Sequence, residues 1–178
     1  MTFIFVYVGN VSQNKNQIQV ARAWNLLSAE DKKNCKVLFV GNYDDRDEIA
    51  QYIKDYHLEK DLILCGKQPK EIVSAYYEAA NATILTSKTE GFGLSIIEGY
   101  VYGKPSITYA DLPATIDLYS SNTMILAEGR NDIQLAEAMS KAIHTTFNKD
   151  AIIQYSKRFS FEAMAQKYVQ EYKKIINI

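Results

Sequence analysis

Apolar runs and amphipathic stretches alternate along this chain from end to end. Phe3–Val8 is a continuous apolar run that stops at Gly9-Asn10. A run of that length without polar alternation predicts a strand buried on both faces. Residues 14–28 then turn helical, with Val20, Trp24 and Leu27 on one face. A second strand is expected over 36–40, ended by Gly41-Asn42. A second helix follows over 46–57, where Ile49, Tyr52, Ile53 and Tyr56 fall at helical spacing. Residues 62–65 read as a third strand, stopped by Gly66. Residues 70–80 read as a third helix, with Pro69 suited to its first turn. A fourth strand is expected over 82–86.

A loop over 87–92 leads into a helix over 93–102, which Gly103 ends and Pro105 keeps from continuing. On this helix Leu94, Ile97 and Val101 are expected in the core, and Gly99 at a close-packing point. Ser106–Tyr109 is a fifth strand and residues 123–126 a weaker sixth. The remainder is helical: 132–146, a short piece over 150–158, then 160–176 with Ser160 as N-cap. Phe161, Met164, Ala165, Tyr168, Val169, Tyr172 and Ile176 form an apolar stripe on the last helix. Alternating strands and helices with apolar strands imply an α/β fold, a doubly wound parallel sheet of about six strands with helices on both faces. Ligands of such sheets bind beyond the carboxyl ends of the strands. The loops at 9–16, 41–45, 66–69, 87–94 and 109–113 are therefore the places to look for chemistry.

The chain has 178 residues, which suits one domain spanning 1–178, and 47% of them are hydrophobic, enough for a globular core. Net charge is −1, so no strong field points to nucleic acid as a partner. The 13 tyrosines are spread through helical segments and not interleaved with basic residues; they read as packing residues. Cys35 and Cys65 lie beside strands and outside any C-x-x-C pair, which argues for reduced core thiols in a cytosolic setting. The apolar run at the start is too short for a signal peptide or a membrane span. His57 and His144 fall in predicted helices away from the site loops and read as surface residues. Asp44-Asp45 reads as a helix-capping turn, Arg46 as a surface-pair residue, and Asp111 and Asp117 as turn and cap residues. No metal-bridged diphosphate is expected.

The most informative stretch runs from Ser87 to Glu98 (SKTEGFGLSIIE), between a strand and a helix. Gly91 and Gly93 allow close backbone approach and unusual dihedrals. The free N–H groups of Gly93, Leu94 and Ser95 at the helix start make a natural seat for phosphate. Glu90 precedes that seat and Glu98 follows it. Carboxylates accept hydrogen bonds from hydroxyls, so the pair fits a ligand with hydroxyls on both sides of its phosphates, as in a nucleotide sugar. Taken alone, Glu98 serves equally well as a dipole-stabilising residue in a first helical turn.

Glu90-Gly91-Phe92-Gly93-Leu94 through Glu98, followed by Gly103-Lys104-Pro105, resembles the E-x7-E signature of retaining glycosyltransferases of family 4. Val8-Gly9 through Lys15-Asn16 is similar to the family's first strand and diphosphate loop. Val37 through Gly41 resembles its second strand. Leu64-Cys65-Gly66 through Tyr76-Tyr77 to Ala80 resembles its base-binding loop and following helix. The likeness covers nearly the whole chain, which looks like the C-terminal, Rossmann-like half of the two-domain GT-B fold. The resemblance implies a catalytic role for Glu90, holding donor-sugar hydroxyls near the reacting carbon. It implies that the backbone of Gly91, Phe92, Gly93 and Leu94 cradles the diphosphate and sugar, and that Glu98 accepts from the ribose. Lys15, in the loop opened by Gly9, would neutralise the diphosphate, and the backbone of Lys67 and Gln68 would read the base.

The same resemblance implies retaining transfer from a UDP- or GDP-sugar, without a metal or other cofactor, to a hydroxyl of an acceptor glycan or lipid-linked glycan. The setting would be surface polysaccharide or glycoconjugate synthesis in the cytoplasm, with room for peripheral contact at the cytoplasmic membrane face. The acceptor would sit on an N-terminal domain absent from this chain, which then looks like a fragment unable to transfer sugar alone. One departure stands out. Many members carry an arginine directly after the first-loop glycine, and here that position is Asn10, one cation fewer unless the other domain or Arg46 contributes. Two other readings compete: a sugar-nucleotide 2-epimerase of the same architecture, for which no candidate base stands out, and a non-catalytic nucleotide-binding module.

Overall fold

The computed structural model describes residues 2–176. Six strands, β1 (Phe3–Val8), β2 (Cys35–Val40), β3 (Leu62–Gly66), β4 (Ala82–Ile84), β5 (Ser106–Tyr109) and β6 (Met124–Ala127), form one sheet in the order β3-β2-β1-β4-β5-β6. Every pairing is parallel. The expected Rossmann-like sheet is therefore the observed one. The order reverses between β1 and β4, and at such a switch point the connections leave in opposite directions and open a crevice at the carboxyl ends.

Helices cover both faces. They are α1 (Gln17–Leu26), α2 (Ala29–Lys33), α3 (Glu48–Asp55), α4 (Lys70–Ala79), α5 (Leu94–Val101), α6 (Thr115–Leu118), α7 (Asp132–His144), α8 (Lys149–Ser156) and α9 (Phe161–Ile175). Alternation along β1 sets the two faces. Phe5 and Tyr7 join the larger core with Val20 and Trp24 of α1, while Val6 joins Tyr77 of α4 and its C-cap Ala80 in a smaller cluster. Burying one such large apolar side chain stabilises the fold by about 1.5–3 kcal/mol. The two shortest helices, α2 and α6, lie below the length at which periodicity is readable, and the sequence pattern gives no sign of either.

Helix α5 presents a different face from the expected one. Ile96, Gly99 and Tyr100 are buried, whereas Leu94 and Val101 are exposed and Ile97 is half-buried. The reason is close approach to β4. A Cβ on Gly99 would lie 2.5 Å from Thr83 Cγ2, so the glycine face goes inward and takes its i−3 and i+1 neighbours with it. Gly99 is thus the packing point the sequence indicated. Ser160 caps α9, accepting from the Ala163 N–H at 3.2 Å. The stripe of α9 stays uncovered: Phe161, Met164, Tyr168, Val169 and Tyr172 are all exposed.

His144 is a surface residue, but it is not idle. Its Nε2 lies 2.7 Å from Oδ1 of buried Asp31, whose Oδ2 accepts from Ser140 at 2.9 Å. Burial pushes the Asp31 carboxyl up, yet hydrogen bonds from His144, Ser140 and Ser28 outweigh it and hold the group below its ordinary value. A depressed carboxyl stabilises the fold above its unfolded pKa, about 3.9, and loses that contribution as pH falls through the folded value. Asp31→Asn is expected to lower stability at pH 7, with the gap to wild type narrowing as pH falls below about 4. Urea unfolding at pH 7 and pH 3 measures this; an equal gap at both would refute it.

Candidate functional site

The loops after β1 and β4 meet at the switch point. Residues 12–16 form a turn ahead of α1, closed by the Asn16 N–H donating to the Ser12 carbonyl at 3.0 Å. Asn16 itself sits in the left-handed region at φ 55°. Helix α1 therefore begins at Gln17, three residues later than the pattern indicates, and residues 12–16 are free to line the crevice. Buried Tyr7, whose phenol burial pushes up to about 12, stays neutral and donates to the Lys15 carbonyl at 2.7 Å. The Thr86 hydroxyl lies 3.0 Å from the same oxygen.

This scaffold brings Lys15 and Glu90 together. Lys15 Nζ is 2.6 Å from Glu90 Oε2, which also accepts from the Ser87 hydroxyl at 3.2 Å. The Lys15 and Glu90 side chains remain 29% and 18% exposed, so a ligand can reach both. The chain between β4 and α5 is stitched to the first loop. The Lys88 N–H donates to the Asn14 carbonyl at 2.7 Å, and the Thr89 hydroxyl donates to Asn14 Oδ1 at 2.8 Å.

Next to Glu90, Gly93 is the N-cap of α5, in the left-handed region at φ 78°. No side chain caps this helix start, and its first turn holds no acidic residue. Gly93 itself is buried, Leu94 is exposed and Ser95 half-buried, and the amides of the latter two with the positive end of the dipole suit an anion. Gly91 and Phe92 are exposed, and a Cβ on Gly91 would meet nothing within 4 Å. Leu94 is exposed, not in the core.

Glu98 is the fifth residue of α5, beyond the first turn, so the dipole-stabilising reading does not apply to it. Its Oε2 accepts from the Tyr77 hydroxyl at 2.8 Å. Burial, then the charge of Glu98 and their shared hydrogen bond, raise the Tyr77 pKa and keep the phenol a donor. Glu98 lines a groove of about 240 Å³ between α4 and α5 with Lys70, Val73 and Tyr102. The two carboxylates thus have different partners: Glu90 is held at the strand ends, Glu98 by α4. After β3, Lys67 is exposed and the Gln68 side chain donates to the Cys65 carbonyl at 2.6 Å.

Asn10 ties loops together instead of supplying charge, its Oδ1 accepting from the Asn42 N–H at 2.9 Å. Arg46 is paired with Asp44 at 2.9 Å on an exposed turn, as its surface reading anticipates. It lines, with Lys88, Gln13 and Asp47, a polar cavity of about 530 Å³ between the starts of α1 and α3. Among the described residues no group of three His, Cys, Asp or Glu side chains gathers to hold a metal. No helix among them is long and apolar enough to cross a membrane.

The fold agrees with that of known proteins the chain resembles. The family model for glycosyl transferases group 1 matches residues 1–159. The chain belongs to that family. It is 26% identical over 167 residues to the poly(glycerol-phosphate) alpha-glucosyltransferase of Bacillus subtilis (strain 168), covering 92% of this chain and 23% of that protein. It is 29% identical over 102 residues to the amylovoran biosynthesis glycosyltransferase AmsD of Erwinia amylovora, covering 57% of this chain and 28% of that one. The crystal structure of Anabaena Alr3699/HepE in complex with UDP and glucose superposes with a TM-score of 0.78 at 18% identity, over 97% of this chain and 48% of that chain. The last likeness is one of fold. This glycosyltransferase chain spans less than half the length of each of these proteins.

Sequence pattern does not reach two features of the site. Asn14 gives no signal in a polar loop. Arg130 lies in the segment after β6, outside the five loops that the pattern marks, and only the fold brings it beside Ser87 and Lys88.

Proposed function

We propose that this chain is the donor-binding half of a retaining glycosyltransferase that uses a nucleotide-diphosphate sugar, UDP-linked in the first instance. The acceptor is a hydroxyl of a glycan or lipid-linked glycan, held by a further domain, in surface polysaccharide or glycoconjugate synthesis. The observation that carries this reading is the Lys15–Glu90 pair at 2.6 Å beside an uncapped helix start at the β1/β4 switch point. The diphosphate lies against the amides that open α5, Lys15 meets its negative charge, and Glu90 holds sugar hydroxyls. Glu98 takes the ribose, and the backbone at Lys67 and Gln68 faces the base. The UDP carried by a fold neighbour and the glycosyl-transfer names of the curated relatives support the class.

In this reading the bond from the sugar's anomeric carbon to the diphosphate oxygen breaks, and a bond to the acceptor oxygen forms on the same face. The acceptor proton passes to the departing phosphate oxygen, so no protein base is required from this half. Lys15 and the α5 amides stabilise the charge that develops on the leaving group. The test is calorimetric titration of the protein with UDP and with GDP. Saturable heat with at least one of them is expected, and flat titrations with both at millimolar concentration would refute the reading. The anomeric configuration of the product made by the full-length protein then checks retention.

A further inference from the structure

Arg130 makes more contacts than a surface ion pair needs. It follows β6, two strands from β4, and touches residues at the ends of β4 and β5. Its Nε lies 2.9 Å from both carboxylate oxygens of Asp111, after β5. Its Nη1 donates to the Ser87 carbonyl at 3.2 Å and to the Lys88 carbonyl at 2.9 Å. Its guanidinium lies 4.9 Å from the centre of the Tyr109 ring. The Arg130 main chain is fixed as well, since its carbonyl accepts from buried Gln19 at 2.7 Å and Gln19 in turn accepts from the Tyr109 hydroxyl at 2.7 Å.

The carbonyls that Arg130 holds belong to the segment that ends in Glu90. Residue 88 is gripped on both sides, its N–H by the Asn14 carbonyl and its carbonyl by Arg130. Ser87, whose carbonyl is the other target, sends its hydroxyl to Glu90. We infer that Arg130 is a positioning residue for Glu90, setting the 87–90 segment through the Ser87 and Lys88 carbonyls, with Asp111 as its anchor. A partly exposed ion pair adds little to global stability, whereas a planar fork fixed on one side by a carboxylate defines geometry well. Preorganised placement of a reacting group is where small displacements have large kinetic consequences. The inference rests on the assignment of Glu90 to the donor sugar.

The test uses Arg130→Met and Arg130→Lys in the full-length protein, with turnover, donor KM and amide exchange as readouts. In Arg130→Met, kcat is expected to fall on the order of ten- to a hundredfold, with donor KM changing little. Exchange should rise selectively at Lys88 and Thr89, whose N–H groups are bonded to Asn14. Arg130→Lys, which can still donate to a carbonyl, recovers part of the turnover. Turnover within twofold of wild type in Arg130→Met overturns the inference, as does loss accompanied by faster exchange throughout the sheet. If the wild-type protein transfers no sugar, the assignment of Glu90 fails and the exchange measurement alone decides. A selective rise at Lys88 and Thr89 then supports the positioning role, and unchanged exchange there overturns it.

Discussion

Replacing Glu90 by glutamine is expected to reduce turnover of the full-length protein by roughly 10²–10³-fold, a transition-state loss of about 2.7–4 kcal/mol, while the fold persists. Glutamine keeps the shape and still offers Lys15 an acceptor, so the loop need not rearrange. What goes is the charge that grips sugar hydroxyls as the glycosidic bond breaks. Nucleotide affinity should move the other way or hardly at all. In the unliganded protein the Lys15 ammonium is engaged by Glu90 at 2.6 Å, and removing the carboxylate's charge leaves that cation freer to meet a diphosphate. A steady-state series with parallel UDP titration separates the two effects. Unchanged turnover in a folded Glu90→Gln protein would remove Glu90 from the chemistry.

The second large effect concerns the seat itself. Gly93→Val is expected to destabilise the protein by about 2–3 kcal/mol and to abolish nucleotide binding. At φ 78° a β-branched residue is strained, and its Cβ would press within 3.1 Å of Leu118 Cδ1 and 3.3 Å of Ile96 Cδ1. For a domain of this size that corresponds to a Tm lowered by roughly 5–10 °C. Gly91→Ala is the control. Its added methyl meets nothing within 4 Å, so thermal stability should stay within about 0.5 kcal/mol of wild type. Any loss of UDP binding in that variant then reports on the ligand, not on the fold. Thermal melts of both variants check this, and a Gly93→Val protein as stable as wild type would contradict it.

The parts of the molecule legible in sequence are those where one local rule decides. Unbroken apolar runs ending in Gly-Asn or Gly gave away buried parallel strands, and the Gly-rich stretch before α5 marked the helix start that now lies at the switch point. Helix α5 shows where the rule weakens. Leu94, Ile96, Ile97, Tyr100 and Val101 spread over nearly half the helix circumference, so the apolar pattern alone does not choose the buried side. The contact between Gly99 and Thr83 does, and that contact exists only once β4 is in place. Glu98 followed the same course: its spacing from Glu90 was readable, its hydrogen bond to Tyr77 was not.

Long-range polar contacts were the least legible. Arg130 and Ser87 are 43 positions apart, Asn14 and Thr89 are 75 apart, and neither pair has a spacing rule. His144 and Asp31, 113 apart, are in the same position. The uncovered stripe on α9 was visible as a pattern, and its exposure follows from nothing in the helix itself.

Backbone amide exchange with and without saturating UDP addresses the main claim most directly. Slowed exchange concentrated at Gly91, Phe92, Gly93, Leu94 and Ser95, with a weaker effect around Lys15, is the expected result. Protection that falls elsewhere, for instance in the cavity between α1 and α3, while the α5 start exchanges as before, would contradict the placement of the diphosphate.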